Sequence, residues 1–262
     1  MPVEVSVVIP SIGTSGEVRG QRRVFVVEAV RSVLATTSSI TREIVIVAGR
    51  DMPPAIADEL CALDPLVVRC VQYDAEFNFS ATVNLGAAHA TGTHLLLLND
   101  DTEATTDGWL QLMLDAVNVP GIGAVGARLL FEDGTLQHAG HTYRTLLGHV
   151  AFGLPGDTPG RDGLLLQRRS VAGVTAACML TPAAVYDEVG GFTTLLPGNY
   201  NDVDYCMKLR HAGYDIVYEP AAVLYHFESK SRITGIKPFE VELIQRRWLS
   251  RSLADPFTPA HI

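Results

Sequence analysis

The first half of the chain repeats one unit. A short β-branched or leucine-rich run is followed by a segment with apolar residues at helical spacing. "VEVSVVIPS" is such a run, stopped at Pro10. "RRVFVVEAVRSVLATT" then places Phe25, Val26, Ala29, Val30, Val33 and Leu34 on one helical face. "REIVIVAG", "PPAIADELCAL", "LVVRCVQY", "FSATVNLGAAHAT", "HLLLLND", "TTDGWLQLMLDAVN" and "IGAVGARLLF" continue the alternation up to Phe131, with Gly92 closing the third helix. Strands joined by helices pair in parallel, because a parallel pair needs a long crossover, and the crossovers cover the sheet on both faces. The prediction is an α/β fold with a mostly parallel sheet and helices on both faces. In such sheets ligands gather at the carboxyl ends of strands.

After Phe131 the rhythm changes. Asp133-Gly134 is a hairpin-turn dipeptide, and residues 153–163, "GLPGDTPGRDG", read as a mobile loop. "SVAGVTAACMLTP" reads as one strand, "PAAVYDEVGGF" and "NDVDYCMKLRHAGY" as helices, and "DIVYEPAAVLYH" as a strand. No repeat, low-complexity tract or linker interrupts the 262 residues, so a single domain is expected, with halves 1–131 and 132–262. A chain that is 47% hydrophobic and 19% charged suits a globular protein with a sizeable core. A net charge of −9 argues against bulk nucleic-acid binding. Cys61, Cys70, Cys178 and Cys206 form no metal-type pair and read as small buried thiols, which fits a reducing compartment. The start of the chain reads as a strand rather than a secretory signal. No run reaches the ~18 apolar residues of a membrane span. The expectation is a cytoplasmic protein, with a place on the inner membrane face left open.

Three places carry chemistry. "HLLLL" runs into Asn99-Asp100-Asp101, so a buried strand ends in adjacent carboxylates. Like charges this close need compensation, and carboxylate oxygens suit Mg²⁺ or Mn²⁺. The alternative is a solvated turn capping the next helix. Asp202 opens the "NDVDYCMKLRHAG" helix and points inward with Cys206 at i,i+4. It is either a general base or a favourable helix-start carboxylate. His226 ends an apolar run and is followed by Lys230 and Arg232, which could neutralise phosphate. His138 and His141 are three apart, a metal spacing on a helix, but the preceding Asp-Gly turn places them in a loop or strand.

Taken in order, "VSVVIPS", "FNFSATVNLGAAHATGTHLLLLNDDTE", "GAVGARLLFEDGTLQHAG", "GVTAACMLTPAAVYDEVGGF", "NDVDYCMKLRHAGYDIVYEPAAVLYH" and "DPFTP" resemble glycosyltransferase family 2. These are inverting enzymes of the Rossmann-like GT-A fold, and the rhamnosyltransferase-like and galactofuranosyltransferase-like members are most similar. The resemblance implies a metal-dependent hexosyltransferase using a nucleotide-diphosphate sugar donor and a glycan or lipid-linked acceptor. By resemblance Asn99-Asp100-Asp101 is the DxD-type motif, with Asp101 and His226 on Mn²⁺ or Mg²⁺. Pro10, Ser11, Asn84, Asn99, Asp100, Lys230 and Arg232 would bind donor, and Asp202 would be the base. Two positions depart from the family: Ala48 stands where a base-contacting aspartate is common, and Asn201 where the "ED" motif has its first acid. A sugar nucleotidyltransferase, hinted at by the Gly- and Arg-containing "PSIGTSGEVRGQRR", and a non-catalytic nucleotide-sugar-binding module are the competing readings.

Overall fold

A computed structural model describes residues 4–40, 42–143, 147–227, 235–252 and 255–257. The chain opens with β1 (Val5–Ser11), a hairpin of β2 (Ser15–Val18) and β3 (Gln21–Val24), then α1 (Phe25–Thr36) and β4 (Arg42–Gly49). Next come α2 (Pro54–Leu63), β5 (Val68–Tyr73), α3 (Phe79–His89), β6 (His94–Leu98), β7 (Thr102–Ala104), α4 (Trp109–Val117) and β8 (Ile122–Leu130). Three short strands follow: β9 (Leu136–His138), β10 (His141–Thr142) and β11 (Gly148–His149). The remainder is β12 (Arg169–Ser170), β13 (Cys178–Pro182), α5 (Ala183–Glu188), α6 (Asn201–His211), β14 (Asp215–His226) and α7 (Pro238–Ser252).

The main sheet runs β12-β14-β8-β13-β6-β1-β4-β5. β5, β4, β1 and β6 pair in parallel, as the alternation predicts. β13 enters antiparallel between β6 and β8, and β14 runs parallel to β8. The sheet is therefore mixed but mostly parallel.

Burial on both faces explains the four consecutive leucines of β6. Leu96 and Leu98 join the core under α1, α2 and α4, while Leu95 and Leu97 join the core under α3, α5 and α6. Each such side chain contributes about 1.5–3 kcal/mol on burial. Helix α3 packs onto β1 at Gly86, where a Cβ would lie 2.3 Å from Val8 Cγ1. The same helix ends at His89, before Gly92. Gly92 instead permits close backbone passage, since its Cβ would sit 2.7 Å from the Ser6 nitrogen.

"SVAGVTAACMLTP" is not one strand. It divides into β12 at the sheet edge and β13 in the middle. Residues 171–177 between them turn away from the sheet; the Gly173 carbonyl accepts from His141 N–H and the Ala177 carbonyl from Asn99 N–H. Residues 153–163 are held by a bridge between Thr135 and Pro155. Cys178 and Cys206 are buried, whereas Cys61 and Cys70 are half-buried with sulfurs 3.5 Å apart. No helix among the described residues is long and apolar enough to cross a membrane.

Candidate functional site

The carboxyl ends of β1, β6 and β14, the start of α6 and the β9–β11 segment converge on a cleft of about 570 Å³. Pro10, Ser11, Asn99, Asp100, Asp101, Asp202 and His226 all line it. Residues from 10 to 226 are thus gathered by the ends of four elements.

At the β6 end, the Ser11 hydroxyl donates to Asp100 Oδ2 at 2.7 Å and accepts from Gly13 N–H at 2.9 Å. Asp100 is half-buried, whereas Asp101 is buried at 3% exposure. Thr102 Oγ1 donates to the Asn99 carbonyl and Phe227 N–H to the Asp101 carbonyl, which fixes the turn beside β14. His226 Nδ1 lies 2.6 Å from Gln137 Oε1, and its Nε2 lies 3.1 Å from Asn99 Nδ2 and 3.1 Å from Asp101 Oδ1. With Gln137 accepting from Nδ1–H, Nε2 is bare and takes the Asn99 amide proton. An imidazole nitrogen and a carboxylate oxygen thus face each other on one wall of the cleft. Asn99 Oδ1 is buried without a hydrogen-bond partner among the described residues. Carboxylate and imidazole donors backed by Gln137 fit a divalent cation of the Mn²⁺ or Mg²⁺ type.

The start of α6 lies where the sequence reading places it, with Asp202 in the first turn. The helix begins at Asn201, and its N-cap is Tyr200, held in the left-handed region at φ 59°, ψ 8°. Asp202 is therefore not the cap. Its Oδ1 accepts from Val203 N–H at 2.8 Å and its Oδ2 from Ala176 N–H at 3.3 Å, which turns the carboxylate toward residues 174–177. Asn201, in place of an acid, accepts from Asp202 N–H at 2.8 Å.

The loop before α6 is clamped by α7. Buried Glu240 accepts from the backbone N–H groups of Gly198, Asn199 and Lys237 and from the Asn199 amide. Burial opposes its ionisation, but these donors prevail and hold the carboxyl below the usual range. Trp248 Nε1 donates to buried Asp204 Oδ1 at 2.7 Å, tying α7 to α6 a second time.

A third group lies beside the start of α6. His138, His141 and His149 bring ring nitrogens within 4.8 Å of one another. Burial, reinforced by the neighbouring His149 and His141, holds His138 well below the usual imidazole range. Burial also lowers His141, against the pull of Asp202.

Several expectations are corrected. Asn84 does not line the cleft: its Nδ2 donates to the Phe192 carbonyl, while its Oδ1 accepts from Tyr186 Oη and Phe192 N–H. Both ends of the amide tie α3 to the turn after α5. Residues 153–163 do not line the cleft either. Ala48 is buried in the core beside Ser11 and Gln72 in the sheet. The segment after β1 is a hairpin whose Arg23 pairs with Glu103 and whose Arg19 stacks on Tyr225, not a basic loop open to phosphate. Lys230 and Arg232 lie outside the described residues. Gln137, His149, Tyr143 and Glu240 have no counterpart in the sequence reading, since no periodicity or motif marks them.

This sheet order, with acidic side chains at the β6 end, defines a GT-A fold, and comparison with known proteins agrees. Over 96% of the chain the fold matches a structure described as GalNAc-T7 with UDP, GalNAc and Mn²⁺, at a TM-score of 0.72 and 14% identity, covering 49% of that chain. A mannosyltransferase of Pyrobaculum calidifontis, in complex with GDP-Man and Mn²⁺, matches over 94% of the chain and 63% of its own at a TM-score of 0.59 and 15% identity. In sequence, the family model described as Glycosyl transferase family 2 matches residues 6–190, and the chain belongs to that family. It is 37% identical over 199 residues, 72% of the chain, to the uncharacterised protein y4gI of Sinorhizobium fredii. It is 32% identical over 243 residues, 89% of the chain, to the O-antigen biosynthesis protein RfbC of Myxococcus xanthus. The chain spans only 22% and 19% of those two relatives.

Proposed function

We propose that the chain transfers a sugar from a nucleotide-diphosphate donor to an acceptor hydroxyl, with inversion at the anomeric carbon. The observation that carries this reading is the convergence of Asp100, Asp101, His226 and Asp202 on one cleft in a family 2 fold. Donor classes are supported by the UDP and GDP-Man of the two solved relatives, and a polysaccharide acceptor by the O-antigen protein. A rhamnosyl or galactofuranosyl preference is part of the same proposal.

Pro10 and Ser11 form the floor under the donor, and Ser11 fixes the rotamer of Asp100 through its hydroxyl. Asp101 and His226 would hold Mn²⁺ or Mg²⁺, which when bound supplies positive charge to the leaving diphosphate. Asp202 accepts the proton of the acceptor hydroxyl as its oxygen attacks the anomeric carbon. The C–O bond to the diphosphate breaks on the opposite face, and the nucleoside diphosphate leaves with the bonding pair. Single displacement inverts the centre and needs no enzyme-bound sugar. The backbone N–H groups of Ala176 and Val203 hold the Asp202 carboxylate in place. Lys230 and Arg232 belong to the same proposal as diphosphate contacts. The chain is proposed to act in the cytoplasm or at the inner face of the cell membrane.

The test is a panel of UDP-, GDP- and dTDP-sugars incubated with the protein and Mn²⁺. Release of nucleoside diphosphate is expected. Formation of nucleoside triphosphate and sugar 1-phosphate from the same donors when pyrophosphate is added would instead identify a nucleotidyltransferase, and tight binding with no product a binding module.

A further inference from the structure

We propose that His141 is a positioning residue for Asp202, a neutral imidazole that directs its Nε2–H at the carboxylate. The inference rests on the reading of Asp202 as base.

His141 is 3% exposed and pairs with His149 across the β10–β11 hairpin. Its Nε2 lies 3.9 Å from Asp202 Oδ2 and its Nδ1 lies 3.2 Å from Tyr143 Oη. A neutral imidazole carries one N–H and one lone pair. The carboxylate can only accept, so the proton belongs on Nε2, and the Tyr143 hydroxyl then donates to Nδ1. The Tyr143 phenol stays protonated, because burial pushes it well above its usual range, with Cys206 and Asp202 adding to the effect and Arg210 opposing it.

Both partners hang on one frame. Tyr143 N–H donates to Asp255 Oδ2 at 3.0 Å, and Asp255 Oδ1 accepts from Phe257 N–H at 3.0 Å. The Phe257 ring lies under the Arg210 guanidinium at 3.9 Å, and Arg210 stands on α6, the helix that carries Asp202. The closing "DPF" stretch, which the donor chemistry leaves unused, thus sets the distance between His141 and the base. The remaining 3.9 Å exceeds a hydrogen bond, but such contacts are commonly long without substrate and tighten in the reactive complex.

The three histidines could be taken for a metal site, and one contact argues against it. Thr175 N–H donates to His138 Nε2 at 3.3 Å, which puts the His138 proton on Nδ1. That nitrogen lies 2.7 Å from His149 Nδ1 and donates to it. A cation on His138 Nδ1 would leave two N–H groups facing each other. The groups around His141 are then the neutral rings of His138 and His149, with centroids at 5.1 Å, the Tyr143 hydroxyl and the Asp202 carboxylate. The Tyr143 hydroxyl also shares a hydrogen bond with Cys206, and the charges of Arg210 and Asp255 act on it.

The experiment is long-range ¹⁵N NMR of the histidine rings and ¹³C titration of the Asp202 carboxyl, on the metal-free protein. His141 is expected in the neutral Nε2–H form at pH 7. His141→Leu should move the Asp202 titration upward, because a donor to the charged form is lost, and His141→Gln, which keeps a donor, should restore most of it. An Nδ1–H or charged His141, or an Asp202 titration unmoved by His141→Leu, overturns the proposal. So does Co²⁺ binding with visible bands that His149→Gln abolishes. If His141→Leu fails to fold, the tautomer in the unmodified protein decides. Nucleoside diphosphate release by Asp202→Asn is a separate test: its persistence sinks the base reading and leaves the tautomer result standing.

Discussion

The two halves of this molecule are built by different rules. Residues 5–130 hold the parallel block, where β1, β4 and β6 carry mostly apolar side chains and helices seal both faces. In the second half, β9 to β13 are two to five residues long, and polar side chains are buried in numbers: Gln137, His138, His141, Asn201, Asp204, His226 and Glu240. The first half is held by area removed from water, which tolerates exchange of one aliphatic for another. The second is held by directed contacts, in which every buried polar atom requires a specific partner. The proposed base and the imidazoles stand on the second kind of structure. The paired acids stand at the edge of the first.

The comparison can be broken or sharpened by measurement. The largest expected effect is on turnover: Asp202→Asn should lower the transfer rate by about 10²–10⁴ with little change in melting temperature. Normal transfer by that variant would remove α6 from the chemistry. Next, Leu97→Ala should cost about 2–5 kcal/mol of stability and leave donor affinity per folded molecule unchanged. Urea unfolding and donor titration on the same sample check both halves of that statement. Gln137→Ala should weaken Mn²⁺-dependent nucleotide binding by roughly 10–100-fold, since Gln137 fixes the tautomer of His226. Equal affinity in the variant would make His226 a packing residue.

Glu240→Ala should cost about 1–3 kcal/mol by stranding the N–H groups of residues 198, 199 and 237, and should also slow transfer because the loop before Asp202 loosens. A stability loss with full turnover would separate α7 from the site. The smallest effect is pH-dependent. His138 and His141 have folded pKa values below the ordinary 6.5, so below that pH the unfolded chain binds protons that the folded chain does not. Stability is expected to fall as pH drops from 6.5 toward those folded values. Hydrogen exchange should register the loss around β9–β11 before the β1–β4–β6 block. Uniform loss would mean that the halves unfold as one.

The elements of the first half were legible because periodicity is local. A run such as "HLLLL" announces burial on both sides without reference to anything distant. Asp100, Asp101, Asp202 and His226 were legible for a related reason: each stands at the end of an apolar run or the start of a helix. Asn84 was misassigned because a resemblance carries residue type but not direction, and here the amide faces Phe192 and Tyr186. Gln137, Tyr143 and Glu240 were invisible because their partners lie 89, 112 and about 40 residues away.

The sequence by itself determined the order of the main strands and helices, the apolar interior and the residue types available at the strand ends. Those follow from backbone sterics and hydrophobic spacing, which act over a few residues. Only the tertiary structure decided that β13 enters antiparallel, that "SVAGVTAACMLTP" breaks to present Ala176 N–H to Asp202, and that His226 Nδ1 meets Gln137 Oε1. Hydrogen bonds between distant segments have no local signature, since a donor reveals its acceptor only once the chain has brought the two within about 3 Å.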